Sequence, residues 1–373
     1  MIFVQIYWFT GRSLDDLCST TQTSLASGLV EKGYSVTIVN PDKTGSHRSW
    51  PWTHQPIPVD TLPGLRSRML GKKMLKWLLK INVNNDCVML VDWRIANFLI
   101  PEFERQSTPW ILIDRSPPAN KGILSLLQWP SWKKSWKLVR SKQFGRGCAV
   151  SNMHSEFIQE KTGVDESLIT VLPAGVDLQR FKAGQRFRSR TMVYHGKLDK
   201  NRGILSLPML LQKVRNVGVD ANLIIIGNGD CFDQINSIAQ SNEHIQVHRT
   251  LEQEELANIL AQCHIGLLPM PDKKIWTLAS PLKRSEYSAS GLVVFGIDHA
   301  GHRFENQSEI NWMKLVKQFD FHEKGIELLS KLTDKDIEEL SIQARTFAEK
   351  NLSWSRTVDA LENSILSLHA KHS

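Results

Sequence analysis

Residues 191–207, TMVYHGKLDKNRGILSL, pass from an apolar run to a helical pattern through a loop of cations and glycines. The run Met192 to Tyr194 ends at His195–Gly196, and the helical pattern opens at Ile204. Between them stand Lys197 and Arg202, flanked by Gly196 and Gly203. A strand that hands over to a helix in this way is one step of an open α/β sheet, where ligands bind beyond the carboxyl ends of the strands. Free N–H groups and the helix dipole favour an anion at that place. Lysine supplies a point charge and arginine a bidentate fork, so the loop reads as a phosphate or diphosphate clamp. Two solvated surface cations are the plain alternative.

The same order occurs at the start of the chain. IFVQIYWF (2–9) is a strand buried on both faces, Gly11 follows, and a helix is expected from about Leu14 to Lys32, closed by Gly33. YSVTIVNPD (34–42) is the next strand. In the second half TMVYHG, a helix from Ile204 to Asn216, and the strand VDANLIIIGNGD (219–230) repeat the pattern. Gly11 to Gly33 and Gly196 to Gly218 are both 22 residues apart. Two doubly wound α/β units are therefore expected, parted near the polar, basic segment FKAGQRFRSR (181–190). The expected domains are 1–183 and 184–350, followed by a terminal amphipathic helix over 351–373 that carries Val358, Leu361, Ile365 and Leu368.

A chain of 373 residues suits two such domains, and 41% hydrophobic with 23% charged residues is ordinary globular composition. No apolar run reaches the roughly 18–20 residues of a membrane span. The N-terminus lacks a basic region and a cleavage site, so it reads as a buried strand and not a signal peptide. Five scattered cysteines without a CxxC pair indicate neither zinc nor a disulfide framework, and a cytoplasmic setting is expected. Residues 1–182 hold 23 Lys+Arg against 15 Asp+Glu, whereas 183–373 hold 23 against 23. Nine of the twelve tryptophans also lie in the first half. That half should meet something anionic: a membrane surface, an acidic substrate or nucleic acid. The stacking pattern of a nucleic-acid-binding sheet is not visible, so no nucleic acid is expected.

Two further stretches bear on the chemistry. In LASPLKRSEYSASGLVVFG (278–296), Glu286 should fall on the first turn of a helix, where a carboxylate accepts hydrogen bonds from a vicinal diol such as ribose or simply stabilises its own helix. ITVLPAGVDLQRF (169–181) closes the first half as strand, turn and loop. Together and in this order, these segments resemble the retaining glycosyltransferases of family 4, also called group 1, which have the GT-B fold. VLPAGVDLQRF is similar to the family's P-N-G-V-D segment, with Ala174 for the usual Asn. YHGKLDKNRGI is similar to its GR-(4–5)-KG segment with Lys and Arg exchanged, IIIGNGD to its I-x-G-x-G strand end, SPLKRSEYSASGLVVFG to SPLKLFEYMAAGKPVVA, and AVSNMHSEFIQEKTG to the helix before the linker.

The resemblance implies two Rossmann-like domains facing across a cleft, with the C-terminal helix crossing back to the first. It implies that Lys197 and Arg202 hold the diphosphate of a nucleotide-sugar and neutralise it as it leaves, with Gly11 approaching from the first domain. Glu286 would hold the ribose. Ser280, Pro281, Leu282 and Lys283 would meet the sugar and distal phosphate. Gly227, Gly229 and Thr250 would form the nucleotide pocket. The first carboxylate of the family's Glu-x7-Glu is Leu278 here, which leaves the donor sugar open. Where the family carries a strand-end His, PWILIDRSPP (109–118) offers Asp114 and Arg115. Asp114 would bind an acceptor hydroxyl or the donor sugar as a catalytic group, or else be a structural partner of Arg115. No metal and no cofactor is expected beyond the nucleotide-sugar, UDP- or GDP-linked, and a glycan or lipid-linked acceptor is expected.

On the acceptor side, GLRSRMLGKKMLKWLLKIN (64–82) is an amphipathic helix with Leu70, Met74, Trp77, Leu78 and Ile81 on one stripe and Lys72, Lys73, Lys76 and Lys80 off it. Core packing of that stripe accounts for it as well as a membrane does. In residues 129–146, Trp132 and Trp136 interleave with Lys133, Lys134, Lys137 and Arg140, which reads as a membrane face. The expectation is a cytoplasmic, peripheral enzyme on the inner face of a membrane. The rivals are a GT-B relative with other chemistry, such as a sugar phosphorylase or nucleotide-sugar epimerase, and an inactive nucleotide-sugar-binding member.

Overall fold

Near-continuous apolar runs become the buried strands of parallel sheets. The computed structural model describes residues 4–16, 19–45, 49–60, 65–81, 83, 86–118, 123–304 and 310–372. It divides into two compact units, residues 1–173 with 354–373, and residues 174–353.

The first unit is built on β1 (Gln5–Phe9), β2 (Ser35–Asn40), β3 (Thr53–Pro56), β4 (Cys87–Asp92), β5 (Trp110–Ile113), β6 (Gly145–Ala149) and β7 (Ile169–Val171). All pairings are parallel, in the order β3-β2-β1-β4-β5-β6-β7. Helices α1 (Thr20–Glu31), α2 (Arg66–Leu78), α3 (Trp93–Arg105), α4 (Ile123–Ser141) and α5 (Asn152–Thr162) connect them. Helix α1 starts later than expected, so Asp15 and Asp16 stand in a turn before it. Strand order reverses between β1 and β4, the switch point where doubly wound sheets bind ligands.

The second unit carries β8 (Arg190–His195), β9 (Ala221–Ile226), β10 (Ile245–His248), β11 (Ile265–Leu268), β12 (Val293–Ile297) and β13 (Met313–Val316), again parallel, in the order β10-β9-β8-β11-β12-β13. Here the switch lies between β8 and β11. Its helices are α6 (Leu207–Asn216), α7 (Phe232–Gln240), α8 (Gln253–Gln262), the short α9 (Lys274–Thr277), α10 (Leu282–Ala289), α11 (Phe321–Lys331) and α12 (Asp334–Asn351). Residues 174–190 belong to this unit, although the change of composition pointed to 181–190 as the divide. Phe181 is buried in its core, and the Phe181 carbonyl accepts a hydrogen bond from Arg345 Nη1 at 2.6 Å.

The last helix, α13 (Trp354–His372), packs on α1 in the first unit. Val358, Leu361, Ile365 and Leu368 enter that unit's core. A Cβ on Gly28 would come within 2.5 Å of Val358, so glycine is what lets the two helices approach. Lys32 Nζ binds Asp359 at 2.7 Å and Glu362 at 2.6 Å across the same seam.

Candidate active site

The β8–β11 switch point collects the residues expected to hold a donor. Glu286 lies at the fifth position of α10 and not on its first turn, because the helix begins at Leu282 with Pro281 as its N-cap. It is 5% exposed, and its Oε2 lies 3.1 Å from Nε2 of His195, the last residue of β8. The pair is close but off the hydrogen-bonding axis, and neither atom has another hydrogen-bond partner among the described residues. Tyr287 secures the neighbourhood. Its hydroxyl accepts from His195 N–H at 3.2 Å and donates to the Val193 carbonyl at 3.3 Å. Its ring covers Gly266 of β11, where any Cβ would strike it. His195 escaped the sequence reading because its partner lies 91 positions away.

Beyond β8 the backbone is crowded. Gly196 has φ +120° and Gly227 φ +148°, and a Cβ on Gly227 would run into the Gly196 carbonyl oxygen. Gly229 meets the Leu198 backbone in the same way. Nζ of the buried Lys283 lies where a Cβ on Gly196 would come within 3.1 Å of it, and 4.9 Å from the Tyr194 ring centroid. Lys197 is exposed, and its carbonyl accepts from the Tyr194 hydroxyl at 2.9 Å. Arg202 is oriented from several sides: Nε is 3.4 Å from Asp199 Oδ2, Nη1 is 3.6 Å from Met270 Sδ, and the guanidinium lies 4.5 Å from the centroid of the Trp276 ring. Gly203, at φ +74°, passes against the Pro269 carbonyl at the end of β11. Thr250 Oγ1 accepts from Asn228 Nδ2 at 2.9 Å, joining the β9 and β10 loops.

The 278–284 segment is fixed from behind. Ser280 Oγ accepts from Ala174 N–H at 3.0 Å and from Arg284 Nη2 at 3.2 Å. Arg284 also donates to the Gly301 and Arg303 carbonyls, and burial brings its pKa down to about 10. Leu278 is buried at 5% exposure. Next to this segment, His299 and His302 lie ring against ring at 3.8 Å between centroids. Burial holds His299 down to about 4, and burial with neighbouring His299 holds His302 well below the ordinary histidine range. Lys283 and Arg284 are the buried cations of this site, and Glu286 is its buried carboxylate.

Gly11 and Asp114 belong to the first unit. There a pocket opens at the β1–β4 switch point, walled by Thr10, Arg12, Gln22, Asp92, Asp114 and Arg115 among others. Asp114 does not stand free in it as a catalytic group would. Its Oδ2 accepts from Trp132 Nε1 at 2.6 Å and Trp136 Nε1 at 2.9 Å and lies 3.5 Å from His154 Nε2, while Oδ1 accepts from Ser116 N–H at 3.0 Å. Burial pushes this carboxyl up, but His154 and the two indoles outweigh it and hold it below the ordinary aspartate value. Arg115 reaches the Leu172 carbonyl and Thr21 Oγ1, both at 3.1 Å.

The expected membrane face is corrected by the same contacts. Trp132 and Trp136 are fully buried, since their indole N–H groups are the donors that Asp114 requires. Lys133, Lys134, Lys137, Arg140 and Lys142 of that stretch are exposed. On α2, Leu70, Met74 and Leu78 are buried and the lysines point out, with Gly71 packed against Phe98. No helix among the described residues is long and apolar enough to cross a membrane, and none of their side chains gather as a metal-ligating group of three.

Residues 19–180 match the family model described as Glycosyltransferase Family 4. No curated protein matches the chain in sequence. Among solved structures it is similar to a sucrose-phosphate synthase from Thermosynechococcus elongatus, with TM-score 0.79 and 13% identity over 99% of this chain and 100% of that one. It is similar to a glycosyltransferase from Rickettsia africae, with TM-score 0.73 and 14% identity over 99% and 98%. HepE of Anabaena, solved with UDP and glucose, gives TM-score 0.71 and 10% identity over 98% and 100%. The chain therefore has the two-domain GT-B fold of these glycosyltransferase structures, and residues 19–180 match the Glycosyltransferase Family 4 model.

Proposed function

We propose that the protein transfers a sugar, with retention of anomeric configuration and without a bound metal, from a UDP- or GDP-linked nucleotide-sugar to a glycan or lipid-linked acceptor at an anionic membrane surface. The observation that carries this is the Glu286–His195 pair at the end of β8, set beside the Gly196–Gly227 backbone contact and the Lys197–Arg202 loop. Glu286 accepts from the ribose hydroxyls. Gly227 and Gly229 leave room for the nucleotide, with Thr250 and Asn228 at its far side. Lys197, Arg202 and Lys283 meet the diphosphate, and the start of α10 adds its N–H groups. As the bond from the sugar C1 to the phosphate oxygen breaks, charge grows on the leaving diphosphate, and preorganised cations stabilise it most there. The acceptor oxygen bonds to C1 on the same face, and its proton passes to the leaving phosphate. No protein nucleophile is required. Arg202 is already oriented by Trp276 and Asp199, which spares reorganisation during the reaction. UDP in the HepE and TarM structures and ADP in a starch synthase structure support a nucleotide-linked donor.

For the acceptor side, α2 and α4 carry no acidic residue and expose Arg66, Arg68, Lys72, Lys76, Lys133 and Lys137. Exposed Leu65, Met69 and Leu126 accompany them. Cations with apolar side chains at the rim suit an anionic lipid surface. The donor assignment is tested by thermal stabilisation across UDP- and GDP-sugars, because a ligand of the folded state raises the midpoint. One nucleotide class should stabilise the wild type, and Lys197→Ala and Glu286→Ala should both lose the shift. If no nucleotide moves the wild-type midpoint, the transfer reaction is withdrawn.

A further inference from the structure

We infer that the pocket of the first unit is an oxyanion subsite, which takes a phosphate or carboxylate carried by the acceptor sugar. This rests on the transfer reaction proposed above, and it names the acceptor's chemical class. Helix α1 opens into the pocket with its N-terminus, since Thr21 and Gln22 of its first turn line the wall. That end has no side-chain cap and no acidic residue in its first turn. Helix N–H groups left without a cap favour an anion. Independently, Gln22 is 8% exposed, and its Nε2 has no hydrogen-bond partner among the described residues. A buried amide N–H2 is costly until something accepts from it, so the group that completes this wall is an acceptor of hydrogen bonds.

Arg12 and Arg115 bring positive charge to the same walls. Arg115 is held in position by the Leu172 carbonyl and Thr21 Oγ1. Two carboxylates also border the pocket, and each is answered from outside it. Asp114 is taken by His154, Trp132 and Trp136. Asp92 accepts from Arg94 N–H at 3.0 Å and lies 3.3 Å from Arg94 Nη1. None of those four partners lines the pocket. Arg12 Nη1 lies 3.7 Å from Asp16 Oδ2, so what faces the space is the Gln22 amide, the anchored Arg115 guanidinium, Arg12 with its Asp16 partner and a helix N-terminus, a set that fits an oxyanion better than a neutral hydroxyl.

The test titrates the full chain with glucose 6-phosphate, glucuronate and glucose, with and without saturating UDP, and repeats this for Gln22→Met and Gln22→Glu. Both replacements keep roughly the volume of glutamine. One removes the amide and the other adds a negative charge. The expected result is binding of an anionic sugar at least tenfold tighter than glucose, weakened about tenfold by Gln22→Met and further by Gln22→Glu, with the UDP response of both variants unchanged. The tighter of the two anionic sugars identifies the phosphate or the carboxylate as the natural group. Glucose binding as tightly as either anion, no binding of either anion, or full anion affinity in Gln22→Glu overturns the subsite. A wild type that binds UDP but shows any of these loses the subsite alone. Gln22-dependent anion binding without any nucleotide response keeps the subsite and removes the transfer reaction.

Discussion

Glu286 and Asp114 are both buried carboxylates, and their partners assign them opposite work. Glu286 faces His195 with an Oε2 that has no aligned hydrogen bond, so it retains capacity for a ligand. Glu286→Ala should weaken nucleotide-sugar binding by about 10–100-fold, the scale of one or two charge-assisted hydrogen bonds, in an equilibrium titration. Asp114 has spent its capacity on two indoles, a histidine and a backbone N–H. Asp114→Ala leaves those donors unsatisfied and should cost about 3–5 kcal/mol in urea denaturation. The folded value of Asp114 is lowered, so its contribution is present above the ordinary aspartate pKa and is lost as pH falls through the depressed one. His299 and His302 act in a higher window. Their folded values, about 4 for His299, lie below the ordinary 6.5, so the unfolded chain takes up protons first. Stability should hold above about pH 6.5 and fall from there towards pH 4. A His299→Asn, His302→Gln double variant should flatten that fall in denaturation midpoints measured against pH.

The order of strands and helices is legible because parallel strands buried on both faces read as apolar runs, as in LVVFG and NLIII. The glycines of the loops are legible for a related reason: Gly203 and Gly227 adopt positive φ where a strand end meets its neighbour's backbone. Helix starts are less so. Pro281 moves the beginning of α10 and puts Glu286 one turn deeper than its spacing suggested. Trp132 and Trp136 carry the same letters whether they face lipid or a carboxylate, and Asp114, 18 and 22 residues earlier, decides which. The pocket of the first unit drew no expectation as a whole, since Arg12, Gln22, Asp92 and Arg115 are far apart in sequence. At the seam of α1 and α13, Gly28→Leu should destabilise by about 1–3 kcal/mol through overpacking. Val358→Ala in the same chain should restore part of it, and a double-mutant cycle of thermal midpoints measures the coupling.

Across the whole molecule, the motifs and the family match overlap only in part, over about residues 148–180. The segments that resemble glycosyltransferases are densest in 148–300, whereas the family model covers 19–180. The excess positive charge lies on the matched half, and the structure moves it from a tryptophan-bearing face to the exposed lysines of α2 and α4. Vesicles containing anionic phospholipid should therefore retain the protein at low salt and release it as salt rises. A Lys133→Glu, Lys134→Glu, Lys137→Glu variant should lose most of that retention in co-sedimentation while keeping its nucleotide response. Neutral vesicles that retain the protein equally well would count against an electrostatic surface. The hydroxyl of Tyr287, fixed between Val193 and His195 while its ring covers Gly266, makes the floor of the proposed donor site continuous across β8, β11 and α10. A chimera that exchanges residues 272–284 for those of another transferase leaves that floor intact and can change the sugar accepted. One that exchanges residues 272–290 replaces Tyr287 as well, and it should yield an unstable protein and not a new enzyme.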